Sequence, residues 1–436
     1  MRVVLLFSAL FLAFSCSDDK PTGTSGPDLS RSALIKVAVY SSLDSEAVSY
    51  AQVSLYNAVT NAPVKVADTD SNGKYSFSVD TGAYYIRVAA QGYYQMPPQL
   101  VSPVPFTALS SDTLTRTYYL DTVGYFSSLG SIAGIVRSDS SDNFAPLTSV
   151  LVIAQDSLTG KRFSAVSGAE GKYRVFNLPY GKYSVFGYIA GYKQLDTGRI
   201  TMNCATVHDT VDLKRIIGGR LTGSITFLAA PNDSNLDITL MDSATGSSIP
   251  GLSTNMDVQK QYSINSIPPG KYLAWASYKN DGYVMDPDWL FKNGYPTVTF
   301  TVADTLKQLP FSVTDAIVIN SPTNPADSLY PVPVDSAVPT FRWTKYPSAK
   351  EYIIEVSDLS GRVIWGGFNR SDSTVKHRQI TQDASSALFN FDSSATGTLI
   401  KGRPYRWKIY ADKDAAQKVQ GLISSSEDQR GLFILR

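Results

Sequence analysis

Apolar and polar residues alternate along much of this chain. Tyr75, Phe77 and Val79 are separated by Ser76 and Ser78, and Tyr84, Ile86 and Val88 alternate with Tyr85 and Arg87. The same beat returns late in the sequence. There Tyr352, Ile354 and Val356 oppose Glu351 and Glu355, and Tyr405, Trp407 and Ile409 oppose Arg406 and Lys408. A period of two puts one set of side chains on a buried face and the other toward water, as half-buried strands require.

Glycines punctuate these strands at regular steps. The clearest cassette reads Gly171-Lys172-Tyr173, Gly181-Lys182-Tyr183 and Gly191-Tyr192, at ten-residue intervals. An earlier copy reads Gly73-Lys74-Tyr75, Gly82-Ala83-Tyr84 and Gly92-Tyr93. A looser third copy reads Lys260-Gln261-Tyr262, Gly270-Lys271-Tyr272 and Gly282-Tyr283. The rhythm predicts short antiparallel strands joined by tight turns, and its recurrence predicts a tandem array of modules. Asp70-Ser71-Asn72-Gly73 supplies residues that tolerate positive φ. Pro179-Tyr180-Gly181 and Pro268-Pro269-Gly270 supply a preset entry and a relaxed exit for the second turn. Each cassette therefore reads as a three-strand meander with Tyr as the first inward residue after each turn.

These residues resemble the carboxypeptidase regulatory-like domain, a transthyretin-like β-sandwich with kinship to starch-binding-type folds. The second copy carries the fullest motif, including Gly134-Ile135-Val136 and the strand Val150 to Ile153. The third departs from it at Lys260. The resemblance implies non-catalytic spacers, docking platforms or binding modules, and it transfers no catalytic residue. A Pro-rich entry at Ser321 to Pro333 then opens a different segment. Pro339-Thr340-Phe341-Arg342-Trp343, the Tyr352 strand and Tyr405-Arg406-Trp407 resemble a fibronectin type III-like sandwich, with Trp343 and Trp407 as core aromatics.

The expected architecture is all-β, with three transthyretin-like sandwiches at 32–122, 131–214 and 216–315, and a fibronectin type III-like sandwich at 316–436. A length of 436 residues accommodates that count. Residues 1–16 read as a signal peptide and 17–31 as a flexible tether. Arg2 precedes an apolar run from Val3 to Phe14 that is too short to span a bilayer. The run ends at Ser15-Cys16 and resembles a bacterial lipoprotein signal. That resemblance implies an acyl-anchored Cys16 and a cell-envelope, outer-membrane and surface-exposed location. An ordinary secretory signal with a free Cys is the alternative. Cys204, the other cysteine, is expected as a small buried apolar residue.

Composition removes several functions. Net charge is +1 with 18% charged residues, so the Lys/Arg excess of a nucleic-acid binder is missing. Two histidines, His208 and His377, and the lack of paired Cys/His spacing leave no zinc motif. No nucleophile elbow, Walker loop or dinucleotide fingerprint occurs, and no cofactor or metal is implied. Asp68, Asp70 and Asn72 alternate as in part of a calcium loop, although turn capping explains them more simply. The stretch from Gly282 to Tyr295 is the leading candidate ligand loop, and Tyr93-Tyr94 with Met96 is a second, weaker aromatic cluster. The first holds Tyr283, Asp286, Asp288, Trp289 and Tyr295, residue types that stack on sugar rings and bond hydroxyls. The competing reading is that these aromatics cover the module-three core. Extracellular polysaccharide is thus the leading ligand class, and the alternative is a structural or assembly role in contact with partner envelope proteins, without glycan binding.

Overall fold

The computed structural model describes residues 32–98, 101–124, 129–229, 236–276 and 281–436. The segments expected as signal peptide and tether, with Cys16, lie outside the described residues. Eight sheets among the described residues face one another in four β-sandwiches, called modules one to four here.

The first three modules share one topology. In each, the opening strand (Ser32–Ser41, Leu129–Ser138 or Gly219–Phe227) is central to its sheet. It pairs antiparallel with Lys74–Asp80, Lys172–Pro179 or Gln261–Ile267. On its other side it pairs parallel with Thr113–Leu120, Thr206–Arg215 or Phe311–Asp315. The facing sheets repeat as well, built on Gln52–Asn57, Leu151–Asp156 and Asp237–Asp242 paired with Gly82–Ala89, Gly181–Tyr188 and Gly270–Ala276.

The cassette is therefore not a meander. Lys74–Asp80 and Gly82–Ala89 belong to opposite sheets, and the Pro-Gly-type turn between such strands carries the chain from one sheet to the other. The tyrosine after that turn secures the corner. Tyr84 Oη donates to Asp80 O at 2.9 Å, Tyr183 Oη to Pro179 O at 2.7 Å and Tyr272 Oη to Pro268 O at 2.7 Å. A buried phenol needs such a partner, and the span of four residues lets the ring fill the core while its hydroxyl ties off the turn.

The first cassette position is set by backbone shape. Gly73 and Gly171 have φ of 70° and 69°. Any Cβ on Gly73 would stand 2.5 Å from Val39 O. Lys260 holds the same place in module three at φ 59°. A side chain there costs roughly 1–2 kcal/mol, partly offset by the chain entropy that glycine would lose. Lys260→Gly is expected to raise stability by about 0.5–1 kcal/mol, measured as an increased urea midpoint. An unchanged midpoint would assign compensating value to the Lys260 ammonium, 4.9 Å from the Phe227 ring centroid.

Three expectations fail at identifiable places. Tyr75 is 37% exposed and lies edge-on to Phe77, which takes the inward position on that strand. Tyr85 is fully buried on the supposedly wet face, stacked on Tyr56 at 4.7 Å, because neighbouring modules cover that face. Cys204 is exposed. Its strand, Gly198–Met202, points Ile200 and Met202 inward and ends before residue 204 continues the alternation.

Module four pairs Ile319–Ser321, Thr340–Trp343 and Ser386–Leu388 against a seven-stranded sheet centred on Glu351–Asp358 and Pro404–Asp412. Trp343 and Trp407 are 1% and 0% exposed, so both are core side chains. Glu351, expected to face water, is buried, and its carboxylate accepts from Gln417 N and Nε2.

The modules close on one another instead of extending as a rod. Tyr56 and Tyr85 of module one share a hydrophobic cluster with Leu151, Ile153 and Val166 of module two and with the core of module three. Asn177 of module two caps the module-one loop in full, donating to Ala90 O and Tyr93 O and accepting from Gly92 N. Arg162 and Asp242 join modules two and three at 2.5 Å. Asn61 reaches Thr239 and Ser253 across modules one and three. Leu329, Leu359 and Leu432 of module four complete the module-one core.

Candidate functional site

Positive φ at Gly282 (86°) opens the stretch singled out in the sequence. Tyr283–Met285 then pairs with the last strand of module three. Tyr283 is buried there, edge-on to Phe227 at 5.6 Å. The next residues form a helix, Pro287–Asn293, where the sequence had suggested only a loop. Its signals were readable: an Asp N-cap, Pro at the first position, an acid in the first turn, Lys in the last turn and Gly beyond the end. Asp286 Oδ1 accepts from Asp288 N at 3.0 Å and Trp289 N at 3.2 Å. Asp288 Oδ2 bonds Lys292 Nζ at 2.6 Å, and Gly294 N closes on Leu290 O.

This helix seats the aromatics against protein. Phe291 meets Phe368 of module four at 5.2 Å and 84°, and Phe368 meets Tyr410 at 5.3 Å. With Ile353, Val375, Val419 and Leu422 these rings cover the outer face of the module-four sheet. Tyr295 packs on Trp275 at 5.3 Å. Among the predicted aromatics, Tyr283 and Tyr295 are thus spent on packing. Trp289, at 37% exposure, keeps an accessible face.

Asp286 and Asp288 line a cleft of about 560 Å³ between modules three and four, together with Asp315, Tyr346, Lys413 and Ile423. Burial raises the Asp286 carboxyl above its usual range, against the pull of its two N–H donors. Both acids are committed to holding the helix, Asp286 through its cap and Asp288 through Lys292. The helix works as a wedge between two sandwiches. Sequence reasoning missed the partner side, because nothing local connects Phe291 to Phe368.

A second joint element lies between the last two strands of module four. Glu427 Oε1 accepts from Gly282 N of module three at 2.9 Å. The adjacent Asp428 Oδ2 accepts from Ser102 N of module one at 3.2 Å. Two neighbouring carboxylates thus hold two different modules.

The histidines sit apart from any such arrangement. His377 is buried; its Nε2 accepts from Ile354 N at 2.9 Å, and Nδ1 lies 2.8 Å from Arg378 O. Burial pushes its pKa below the ordinary range, so the ring is neutral and both nitrogens serve the backbone. Asp70 caps its own turn, accepting from Asn72 N and Lys74 N. Among the described residues no group of three or more His, Cys, Asp or Glu side chains is placed to hold a metal. Among them, too, no helix is long and apolar enough to cross a membrane.

Residues 35–105 match the family described as carboxypeptidase regulatory-like domain. The match lies within module one; the fuller cassette of module two is outside it. No curated protein matches the chain. Among solved structures, the TIE protein of Bacillus anthracis is 17% identical over 65% of this chain and 51% of its own, with a TM-score of 0.18. The major pilin BcpA of Bacillus cereus is 12% identical over 66% of this chain and 100% of its own, at 0.19. The minor pilin GBS52 of Streptococcus agalactiae is 13% identical over 45% and 99%, at 0.21. Such scores mean that these proteins do not superpose on this chain as whole molecules, and their roles do not transfer to it.

Proposed function

We propose that this chain is a non-catalytic bacterial envelope protein that docks partner proteins, with three carboxypeptidase regulatory-like modules and a fibronectin type III-like module locked into one body. Acyl chains on Cys16 hold it at the outer membrane, and the tether through residue 31 sets it off the lipid surface. The observation that supports docking over ligand capture is the fate of the aromatic stretch. Tyr283, Phe291 and Tyr295 are consumed in packing, and the capped helix is wedged against module four. A body braced in this way presents fixed edges and loops to a neighbour at little entropic cost.

Crosslinking in native membranes tests this reading. Specific envelope proteins should be recovered, and recovery should persist after glycan digestion. Membrane fractionation beside Cys16→Ala tests the anchor. The variant is expected in the soluble fraction and without acyl mass; a native protein that is itself soluble and unacylated removes the anchor from the reading.

Polysaccharide binding at module three remains the second reading, favoured by the accessible face of Trp289 near Asp286 and Asp288. Retention on insoluble polysaccharide that disappears in Trp289→Ala would establish it. No retention on any polysaccharide would leave the docking role alone.

A further inference from the structure

A different cleft combines features that the module-three stretch lacks. It lies between modules one and four and has a volume of about 530 Å³. Module one contributes Ser42, Leu43 and Tyr119; module four contributes Tyr330, Lys401 and Arg436. Neither module makes the cleft alone. It exists because the chain closes on itself.

Its wall carries two tyrosines, Tyr119 and Tyr330, and Tyr40 lies next to Tyr119 outside the lining. Tyr40 lies 5.8 Å from Tyr119, and Tyr119 meets Tyr330 edge-to-face at 5.4 Å and 76°. Tyr119 and Tyr330 are both only partly buried. The core has not absorbed them as it absorbed Tyr283, and the cleft receives what remains of their surface. The partly exposed rings offer apolar surface with a hydroxyl at one end, which suits a ligand with an apolar face and a polar rim.

The charge of the wall is positive. Lys401 and Arg436 are exposed, and no Asp or Glu side chain lines the cleft; the terminal carboxylate of Arg436 is the one acid there, against two cations. Asp44 and Glu46 belong to the nearby turn, but that turn gives the wall Leu43 and Ser45. Arg436 also lies close enough to Tyr119 to favour its phenolate form, against the stronger effect of burial. Ring faces, hydroxyls and two cations together match one chemistry, an apolar ring face edged by hydroxyls and bearing a carboxylate.

We propose that this inter-module cleft binds an acidic polysaccharide, a chain of uronic acid units, with Tyr119 and Tyr330 against the sugar rings and Lys401 and Arg436 on the carboxylates. The site is distinct from the module-three helix and independent of protein docking.

Oligomers of polygalacturonate are the probe, titrated calorimetrically into the full mature chain, with a neutral glucan and poly-glutamate as comparisons. Polygalacturonate is expected to bind with an affinity that falls as salt is raised, and the neutral glucan is expected not to bind. Lys401→Glu, an exposed change, should weaken binding about tenfold or more, and Tyr330→Ala by about tenfold. Thermal unfolding of each variant separates lost binding from lost closure. Absence of polygalacturonate binding by the unmodified chain overturns the proposal, as does unchanged affinity in a folded Lys401→Glu variant. Equal binding of poly-glutamate would replace the sugar with an acidic peptide and overturn it too.

Discussion

Replacing Trp407 with alanine is expected to destabilise the protein by about 3–5 kcal/mol and to move its whole unfolding transition downward. The indole is fully buried, with its ring 4.8 Å from that of Phe341. Its Nε1–H donates to Pro322 O at 2.7 Å, so truncation leaves both a large cavity and an orphaned carbonyl. In a string of independent sandwiches the damage would stay within module four. Here Leu329, Leu359 and Leu432 of that module complete the core of module one, and Phe368 carries Phe291 of module three. Loosening module four therefore exposes apolar surface on two neighbours. Differential scanning calorimetry distinguishes the cases: one endotherm displaced as a unit is expected. An endotherm in which a single portion moves while the rest stays would mean that the sandwiches unfold separately.

The strand content and the repeat were legible because they are written locally. Alternation located the Tyr352 and Tyr405 strands, and the motif resemblances located the Gly134 and Val150 strands and the two core tryptophans of the last module, all as observed. Local signals were silent on pairing. The turn between Asp80 and Gly82 looks the same whether the next strand pairs with its predecessor or crosses to the facing sheet, and the crossing is seen only in the pairings of the two strands with different partners. The burial of Tyr85 and Glu351 was invisible for a related reason. Tyr85 sits on a face that its own module would leave to water and the neighbouring modules cover it, while Glu351 is covered by Gln417, 66 positions further along its own module. The candidate loop shows the same limit of local signals. Its residue types fitted a sugar platform, but Phe291 and Tyr295 were answered by Phe368 and Trp275. Tyr119 and Tyr330, 211 positions apart in the chain, offered no sequence signal because their meeting depends on closure.

Closure itself is expected to weaken as pH rises from about 4.5 to about 7, and Glu427→Gln should remove much of that dependence. Burial pushes the Glu427 carboxyl up to about 7 from its ordinary 4.5. Asp281 and Asp428 push it the same way, while the Gly282 N–H and Arg430 oppose the rise. The folded state thus binds a proton here that the unfolded chain releases between these values. Above about pH 7 the charged group carries its full burial cost; below about pH 4.5 both states are protonated and the cost vanishes. Stability from this site therefore falls as pH rises from 4.5 to 7, by at most about 3 kcal/mol. Asp428 and Asp121 are raised as well, so the wild-type profile alone does not isolate Glu427. The difference between wild type and Glu427→Gln does. Glutamine keeps an oxygen for Gly282 N and loses the charge, so the variant should be more stable than wild type at pH 8 and nearly equal to it at pH 4.5. Urea midpoints across that range read the difference. A constant offset at every pH would assign the effect to shape, and a variant less stable at pH 8 would show that the charged carboxylate strengthens its bond to Gly282 by more than its burial costs.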